Sequence, residues 1–118
     1  MLKEKLQQMD GMVAQGDIVN AVKDFFADNA NTSDYGGGKT ANKNQMVEKM
    51  EGFLGSIANV NGIQHHNSLL DGNLSYSEFT FDFDMKDGSK IYWHEIIKRE
   101  WNDSGKVVFE EYFDAQNN

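Results

Sequence analysis

The chain has 118 residues and a mass of 13.4 kDa, enough for one domain with a single core. Its formal net charge of −8 disfavours phosphate backbones and anionic lipid, so we expect no nucleic acid and no membrane as a partner. Cysteine is absent, which excludes disulfides, thiolate metal sites and a cysteine nucleophile. The amphipathic start, Met1 to Leu6, does not resemble a signal peptide, and we expect a cytoplasmic protein.

Three helices and a short strand are predicted in the first half of the chain. The first helix has an apolar stripe at Leu2, Leu6, Met9 and Val13. After Gln15-Gly16-Asp17, the second helix has its stripe at Ile18, Ala21, Val22, Phe25 and Phe26. Asp28 to Asn31 should end that helix, Thr32 to Tyr35 should form a short strand, and Gly36 to Gly38 a flexible loop. A third helix is predicted from about Asn42, with inner residues Met46, Met50, Phe53, Leu54 and Ile57.

Apolar and polar residues alternate after Asn59, which is typical of strands. Four turn signals end in glycine: Asn61-Gly62, Asp71-Gly72, Asp87-Gly88 and Ser104-Gly105. They delimit predicted strands at Ile63–Leu70, Leu74–Met85, Ser89–Trp101 and Lys106–Asp114. Strands joined by such short turns should pair antiparallel. The order of helices followed by a strand meander predicts an α+β fold, and we expect one domain over residues 1–118.

Two motifs carry a family resemblance over nearly the whole chain. They are Gln15 to Val22 followed by Phe25-Phe26-Ala27-Asp28, and the closing Tyr112-Phe113-Asp114. They resemble the nuclear transport factor 2-like superfamily, in particular its SnoaL-like branch. Ketosteroid isomerase, limonene epoxide hydrolase, polyketide cyclases and many non-enzymes share that fold. The resemblance implies a cone, in which a strongly bent antiparallel sheet wraps around the N-terminal helices and leaves a conical pocket.

Glu111 is the first catalytic candidate. In the limonene epoxide hydrolase branch, the carboxylate just before the Tyr-Phe-Asp ending faces the pocket, and Glu111 occupies that place. Strand alternation predicts that Val107, Phe109 and Phe113 share its face, so the carboxylate would be desolvated and suited to proton transfer. The alternative is a surface glutamate. The Arg and Asp that the hydrolase carries on its middle strand are missing here, which argues against epoxide hydrolysis.

Asp34 is the second catalytic candidate. The resemblance to ketosteroid isomerase implies a carboxylate base just after the short first strand, where either Asp34 or Tyr35 could lie. No Tyr and protonated Asp pair marks the oxyanion hole which that isomerase needs. The alternative is an ordinary turn aspartate before a glycine run.

The remaining candidates would form the wall of the pocket. Tyr76 and Trp93 would be aromatic walls for a flat or cyclic ligand, together with Phe109 and Phe113. Tyr35, His65 and Glu95 are the polar candidates. The apolar pattern places Phe79, Phe81 and Phe83 on the inner face, whereas comparison with the hydrolase places Glu78 and Thr80 there, so both assignments stay open.

No metal and no cofactor is predicted. Neighbouring strand residues such as His65 and His66 face opposite sides, and no spacing brings metal ligands together. Gly36 to Thr40 lacks the first glycine of a phosphate-binding loop, because that position is Ser33. We expect a homodimer that binds a small hydrophobic molecule. The alternatives are an isomerase, cyclase or dehydratase that uses Glu111 for proton transfer, and a protein-interaction module. The sequence does not identify the ligand.

Overall fold

The computed structural model describes residues 2–116, which form three helices and six strands. The helices are α1 (Leu2–Ala14), α2 (Ile18–Phe25) and α3 (Lys43–Gly55). The strands are β1 (Phe26–Ser33), β2 (Lys39–Thr40), β3 (Ile57–Asp71), β4 (Leu74–Met85), β5 (Lys90–Trp101) and β6 (Val107–Asp114). The predicted α+β fold is confirmed. No helix in residues 2–116 is long and apolar enough to cross a membrane.

The six strands form one open sheet in the order β2-β1-β6-β5-β4-β3. The predicted antiparallel pairing of β3 with β4, β4 with β5 and β5 with β6 is confirmed. The sheet is nevertheless mixed, because β1 pairs with β6 in parallel. Three of the predicted turns are confirmed, and their glycines, Gly72, Gly88 and Gly105, adopt positive φ angles of 62°, 89° and 74°.

The helical predictions are correct except at the ends of α2 and α3; α3 ends at Gly55, so Ile57, which was predicted on its inner face, is instead the first residue of β3. The apolar stripe of α1 buries Leu6, Met9 and Val13 against the sheet. The start of α3 is fixed by Asn42, whose side chain accepts a hydrogen bond of 2.9 Å from the backbone N–H of Gln45. The segment predicted to end α2, residues 28–31, lies instead within strand β1. Strand β1 lies between β2 and β6, and its pairing with both stabilises it despite its polar composition.

The turn predicted at Asn61-Gly62 is also wrong, because both residues lie within the long strand β3. The β3–β4 register shifts between Val60 and Gly62, which marks a β-bulge. A glycine inside a strand often marks such an irregularity rather than a reversal of the chain.

The core lies between the helices and one face of the sheet. Phe79, Phe81 and Phe83 point into it, with exposures of 0%, 5% and 1%. The inner face of β4 is therefore the one that the apolar pattern predicted, and the alternative with Glu78 and Thr80 facing inward is wrong. They pack with Ile97, Trp101 and Val107 of β5 and β6, and with buried residues of the helices. The opposite face, here called the outer face, carries Tyr76 and Glu78 of β4 and their neighbours on β5.

Candidate functional site

A cavity of about 250 Å³ lies between the three helices and the inner face of strands β4 to β6. Most of its wall is apolar. The aromatic residues that line it are Tyr35, Phe53, Phe81, Phe83, Trp93 and Tyr112. The ionisable residues at its wall, apart from these tyrosines, are Asp34, Lys49, Glu95, Arg99 and Glu110. The cavity therefore combines a largely apolar wall with a few charged groups, as small-molecule sites commonly do.

Glu95 is the carboxylate at the wall with the most strongly perturbed environment. It lies in the middle of β5, only 8% exposed, and its Oε2 accepts a 3.1 Å hydrogen bond from the hydroxyl of Tyr35. The pKa of Glu95 is raised to about 7, mainly by burial. The hydrogen bond from Tyr35 acts to lower the pKa, whereas the negative charges of Glu110, Asp34 and Asp114 raise it further. Glu95 can therefore exchange a proton near neutral pH.

The hydroxyl of Tyr35 is held in its neutral form. Tyr35 is 45% exposed as a whole, and partial burial, followed by the charge of Glu95 and the hydrogen bond to it, raises the pKa of its hydroxyl well above 10. Tyr35 therefore stays a hydrogen-bond donor at every physiological pH. It comes from the loop after β1, so this bond joins that loop to the middle of the sheet.

Arg99 forms the centre of a buried ion network beside Glu95. Its Nη1 donates to Oδ1 of Asp10 at 2.7 Å, and its Nε donates to Oε2 of Glu110 at 2.8 Å. Arg99 and Asp10 are each 1% exposed. The hydroxyl of Tyr112 donates to Oε1 of Glu110, and burial with the charge of Glu110 raises the pKa of Tyr112. Ser77 donates to Asp10 at 2.7 Å. The network ties α1 to β5 and β6.

Asp34 lies at the cavity, and its carboxylate is already engaged. Oδ1 accepts hydrogen bonds from the backbone N–H groups of Gly36 and Gly38, and Oδ2 accepts one from Nζ of Lys49 at 2.9 Å. Burial acts to raise the pKa of Asp34, but these bonds and the charge of Lys49 lower it below its ordinary value. A Cβ at Gly38 would lie 2.5 Å from Oδ2, so the glycine loop fits around this carboxylate. The geometry is that of a structural turn aspartate.

Glu111 does not line the cavity, and the expectation that it shares a face with Val107 is wrong. Glu100 pairs with Phe109, whereas the next residue of β5, Trp101, pairs with Val107. One extra residue, Val108, therefore sits in β6 as a β-bulge. The alternation restarts after the bulge, so that Glu110 and Tyr112, rather than Glu111, face inward.

Four wall candidates also lie away from the cavity. Phe109 and Phe113 share the outer face with Glu111, and Phe113 is 43% exposed. Tyr76 lies on the outer face of β4, opposite Lys98. His65 stacks on Phe79, and its Nε2 lies 2.6 Å from the hydroxyl of Ser68. By contrast, Tyr35, Trp93 and Glu95 do line the cavity.

Sequence reasoning missed Asp10, Glu110 and Tyr112 as parts of the site. One signal was present, because the sequence has a single arginine, Arg99, on the apolar face of β5 between Ile97 and Trp101. A buried guanidinium needs acidic partners, although the sequence does not say which. Within residues 2–116, no group of three histidines, aspartates or glutamates is arranged to hold a metal ion.

Comparison with solved structures identifies the fold as nuclear transport factor 2-like. A candidate SnoaL-like polyketide cyclase from Mesorhizobium loti is 19% identical, with 96% of this chain and 98% of that chain covered and a TM-score of 0.86. A ketosteroid isomerase-like fold from Catenulispora acidiphila, solved in complex with trimethylamine, is 13% identical, with 83% and 75% covered and a TM-score of 0.70. An epoxide hydrolase from M. tuberculosis, similar to limonene epoxide hydrolase, is 12% identical, with 94% and 80% covered and a TM-score of 0.74.

The resemblance inferred from the sequence is thereby confirmed at the level of fold. No protein-family model matches the sequence, and no curated protein matches it significantly.

Proposed function

We propose that this protein binds a small, largely apolar molecule in the cavity between its helices and its sheet. The observation that carries the proposal is the cavity itself, with about 250 Å³ of space, aromatic walls and a few convergent polar groups. Its volume lies just below the range of about 300–1,000 Å³ that is common for drug-sized ligands. A ligand of one or two rings fits this space.

The structural neighbours support a cavity function but do not select one. They include a candidate cyclase, an epoxide hydrolase and a protein in complex with trimethylamine. One fold serves several chemistries, so the argument depends on the residues of this chain. Assembly as a homodimer and a cytoplasmic location remain predictions.

A cavity-filling variant tests binding. Met50 of α3 lines the cavity, and Met50→Trp should fill part of it. Glu51→Trp adds the same side chain at the exposed neighbouring position and serves as the control. Naphthalenemethanol, titrated into isotopically labelled protein, should shift NMR signals of cavity residues in the wild type and the control but not in Met50→Trp. Signals that shift equally in all three proteins, or in none, would contradict the proposal.

Proton transfer is a second candidate function, and the position of Glu95 favours it. The sequence suggested Glu111 as the acid or base, but Glu95 is the carboxylate that is buried at the cavity with a pKa of about 7. A base with this pKa is half ionised near neutral pH, where general acid–base catalysis is most effective. Tyr35, which donates to Glu95, would position the carboxylate or a substrate oxygen beside it.

The ring opening of nitrobenzisoxazole, which needs only a base to remove a carbon-bound proton, tests this second candidate. The rate should rise with pH through about 7, the pKa of Glu95, and should be lost in Glu95→Gln. Glu111→Gln, an outer-face change of the same kind, should keep the activity. A rate that is unaffected by Glu95→Gln would exclude Glu95 as the base.

A further inference from the structure

The charges around the cavity do not balance. Four carboxylates lie in or directly behind its wall, against two cationic side chains: Asp10, Asp34, Glu95 and Glu110, against Lys49 and Arg99. Lys49 pairs with Asp34, and Arg99 is shared between Asp10 and Glu110. Glu95 is thus left without a cationic partner among the described residues.

Glu95 also has an oxygen with no hydrogen-bond donor among the residues that the structure describes. Oε2 accepts from Tyr35, but Oε1 accepts no hydrogen bond from any other residue in the range 2–116. The side chain is 8% exposed and lines the cavity. Since no fully buried side-chain oxygen of the described residues lacks a partner, Oε1 is open to the cavity, where a bound donor can reach it. A carboxylate oxygen in a largely apolar wall gains most from such a donor.

The rings nearby suit a positive charge. Phe53 stacks on Trp93 with ring centroids 5.5 Å apart, and Phe53 and Phe83 meet in an edge-to-face arrangement with ring centroids 5.8 Å apart. Trp93 and Glu95 are on the same face of β5, two residues apart. Aromatic faces attract organic cations, most strongly where water is excluded.

We propose that the ligand is an organic ammonium ion with a flat apolar body, bound with an N–H group donated to Oε1 of Glu95. The apolar body fills the space between the aromatic rings, and the ammonium supplies the missing cation. This inference rests on the proposed binding function and specifies the chemical class of its ligand.

Binding of such a cation should release a proton from the site. The titratable and charged groups that face Glu95 come from four elements: Asp34 and Tyr35 from the loop after β1, Lys49 from α3, Arg99 from β5, and Glu110, Tyr112 and Asp114 from β6. The carboxylates among these groups favour the protonated form of Glu95 in the empty cavity, whereas a bound cation favours its ionised form. Near pH 7, where the carboxyl is about half protonated, each ammonium bound should displace about half a proton.

A matched set of three probes tests the charge preference. Naphthylmethylamine, naphthalenemethanol and naphthoate share a ring system and differ in charge. Titration calorimetry at pH 8 should show the amine binding at least about tenfold more tightly than the alcohol, and the carboxylate most weakly. Amine affinity should fall about tenfold from pH 8 to pH 6, as Glu95 becomes protonated, while alcohol affinity changes little. Calorimetry in buffers with different ionisation enthalpies measures the proton release.

Two variants locate the effect. Glu95→Gln should remove both the preference for the amine and its pH dependence, and Glu111→Gln should keep both. Alcohol binding that equals or exceeds amine binding at pH 8 would overturn the cation inference and leave the binding function intact. If none of the three probes binds, both the binding function and the cation inference are overturned. A preference for the amine that survives Glu95→Gln would show that another group attracts the cation, which also overturns the inference.

Discussion

Replacement of Glu95 by glutamine should stabilise the protein at alkaline pH and have little effect in acid. The folded pKa of about 7 lies above the ordinary value of 4.5, a difference of about 2.5. The folded protein therefore holds this proton more tightly than the unfolded chain does. Stability contributed by the protonated group is fully present below pH 4.5 and is lost as the pH rises through 7. At about 1.4 kcal/mol per pKa unit, the loss above pH 7 reaches about 3 kcal/mol.

Glu95→Gln removes this cost and keeps the shape of the side chain, because the amide oxygen can still accept from Tyr35. The free energy of unfolding in urea should therefore exceed that of the wild type by up to about 3 kcal/mol at pH 8, and by little at pH 4.5. Glu111→Gln on the outer face controls for the loss of a negative charge, and at pH 8 it should change the free energy of unfolding by much less than Glu95→Gln does. Destabilisation by Glu95→Gln at pH 8 would refute the reasoning, because it would mean that the ionised carboxylate has a stabilising partner.

Three further predictions concern the ion network, assembly and cofactors. Arg99→Met should lower the free energy of unfolding by about 3–5 kcal/mol, because Asp10 and Glu110 would stay buried without a cation. Lys98→Met on the outer face is the control, and an equal loss of stability in both variants would contradict a stabilising role of the ion network. Phe113 is 43% exposed on the outer face, so we expect a homodimer through that face. Light scattering should give twice the 13.4 kDa chain mass for the wild type and the single chain mass for Phe113→Glu. A monomeric wild type would refute the predicted homodimer. The purified protein should contain no stoichiometric zinc and show no thermal shift with ATP and magnesium; either finding would prove the cofactor prediction wrong.

The regular parts of the fold could be predicted because their signals are local. The apolar stripe of α1 and the glycine turns on both sides of β4 and β5 are each contained in a few neighbouring residues. Strand β1 could not be predicted in full, since its polar sequence, residues 26–33, is extended only through pairing with β2 and β6. Its partner in β6 is more than 70 positions away, beyond the reach of any local pattern.

The polar part of the site was harder to predict than its aromatic wall. Trp93 and Glu95 follow from the alternation of a regular strand, β5. Whether Glu110 or Glu111 faces the cavity depends on the bulge at Val108. Val107 and Val108 are identical neighbours in the sequence, so no local pattern shows that the bulge lies there. Strict alternation across that point assigns every later residue of the strand to the wrong face.

The contact between Asp10 and Arg99 also constrains the order in which this protein folds. The two residues are 89 positions apart, and both are desolvated when they meet. Burial of Asp10 before Arg99 is in place would leave an unpaired charge in the core, which is strongly unfavourable. Contacts over such long separations form slowly, because the chain between them must first be ordered. We therefore expect α1, although it leaves the ribosome before the rest of the domain, to dock against the sheet only after β5 and β6 have paired.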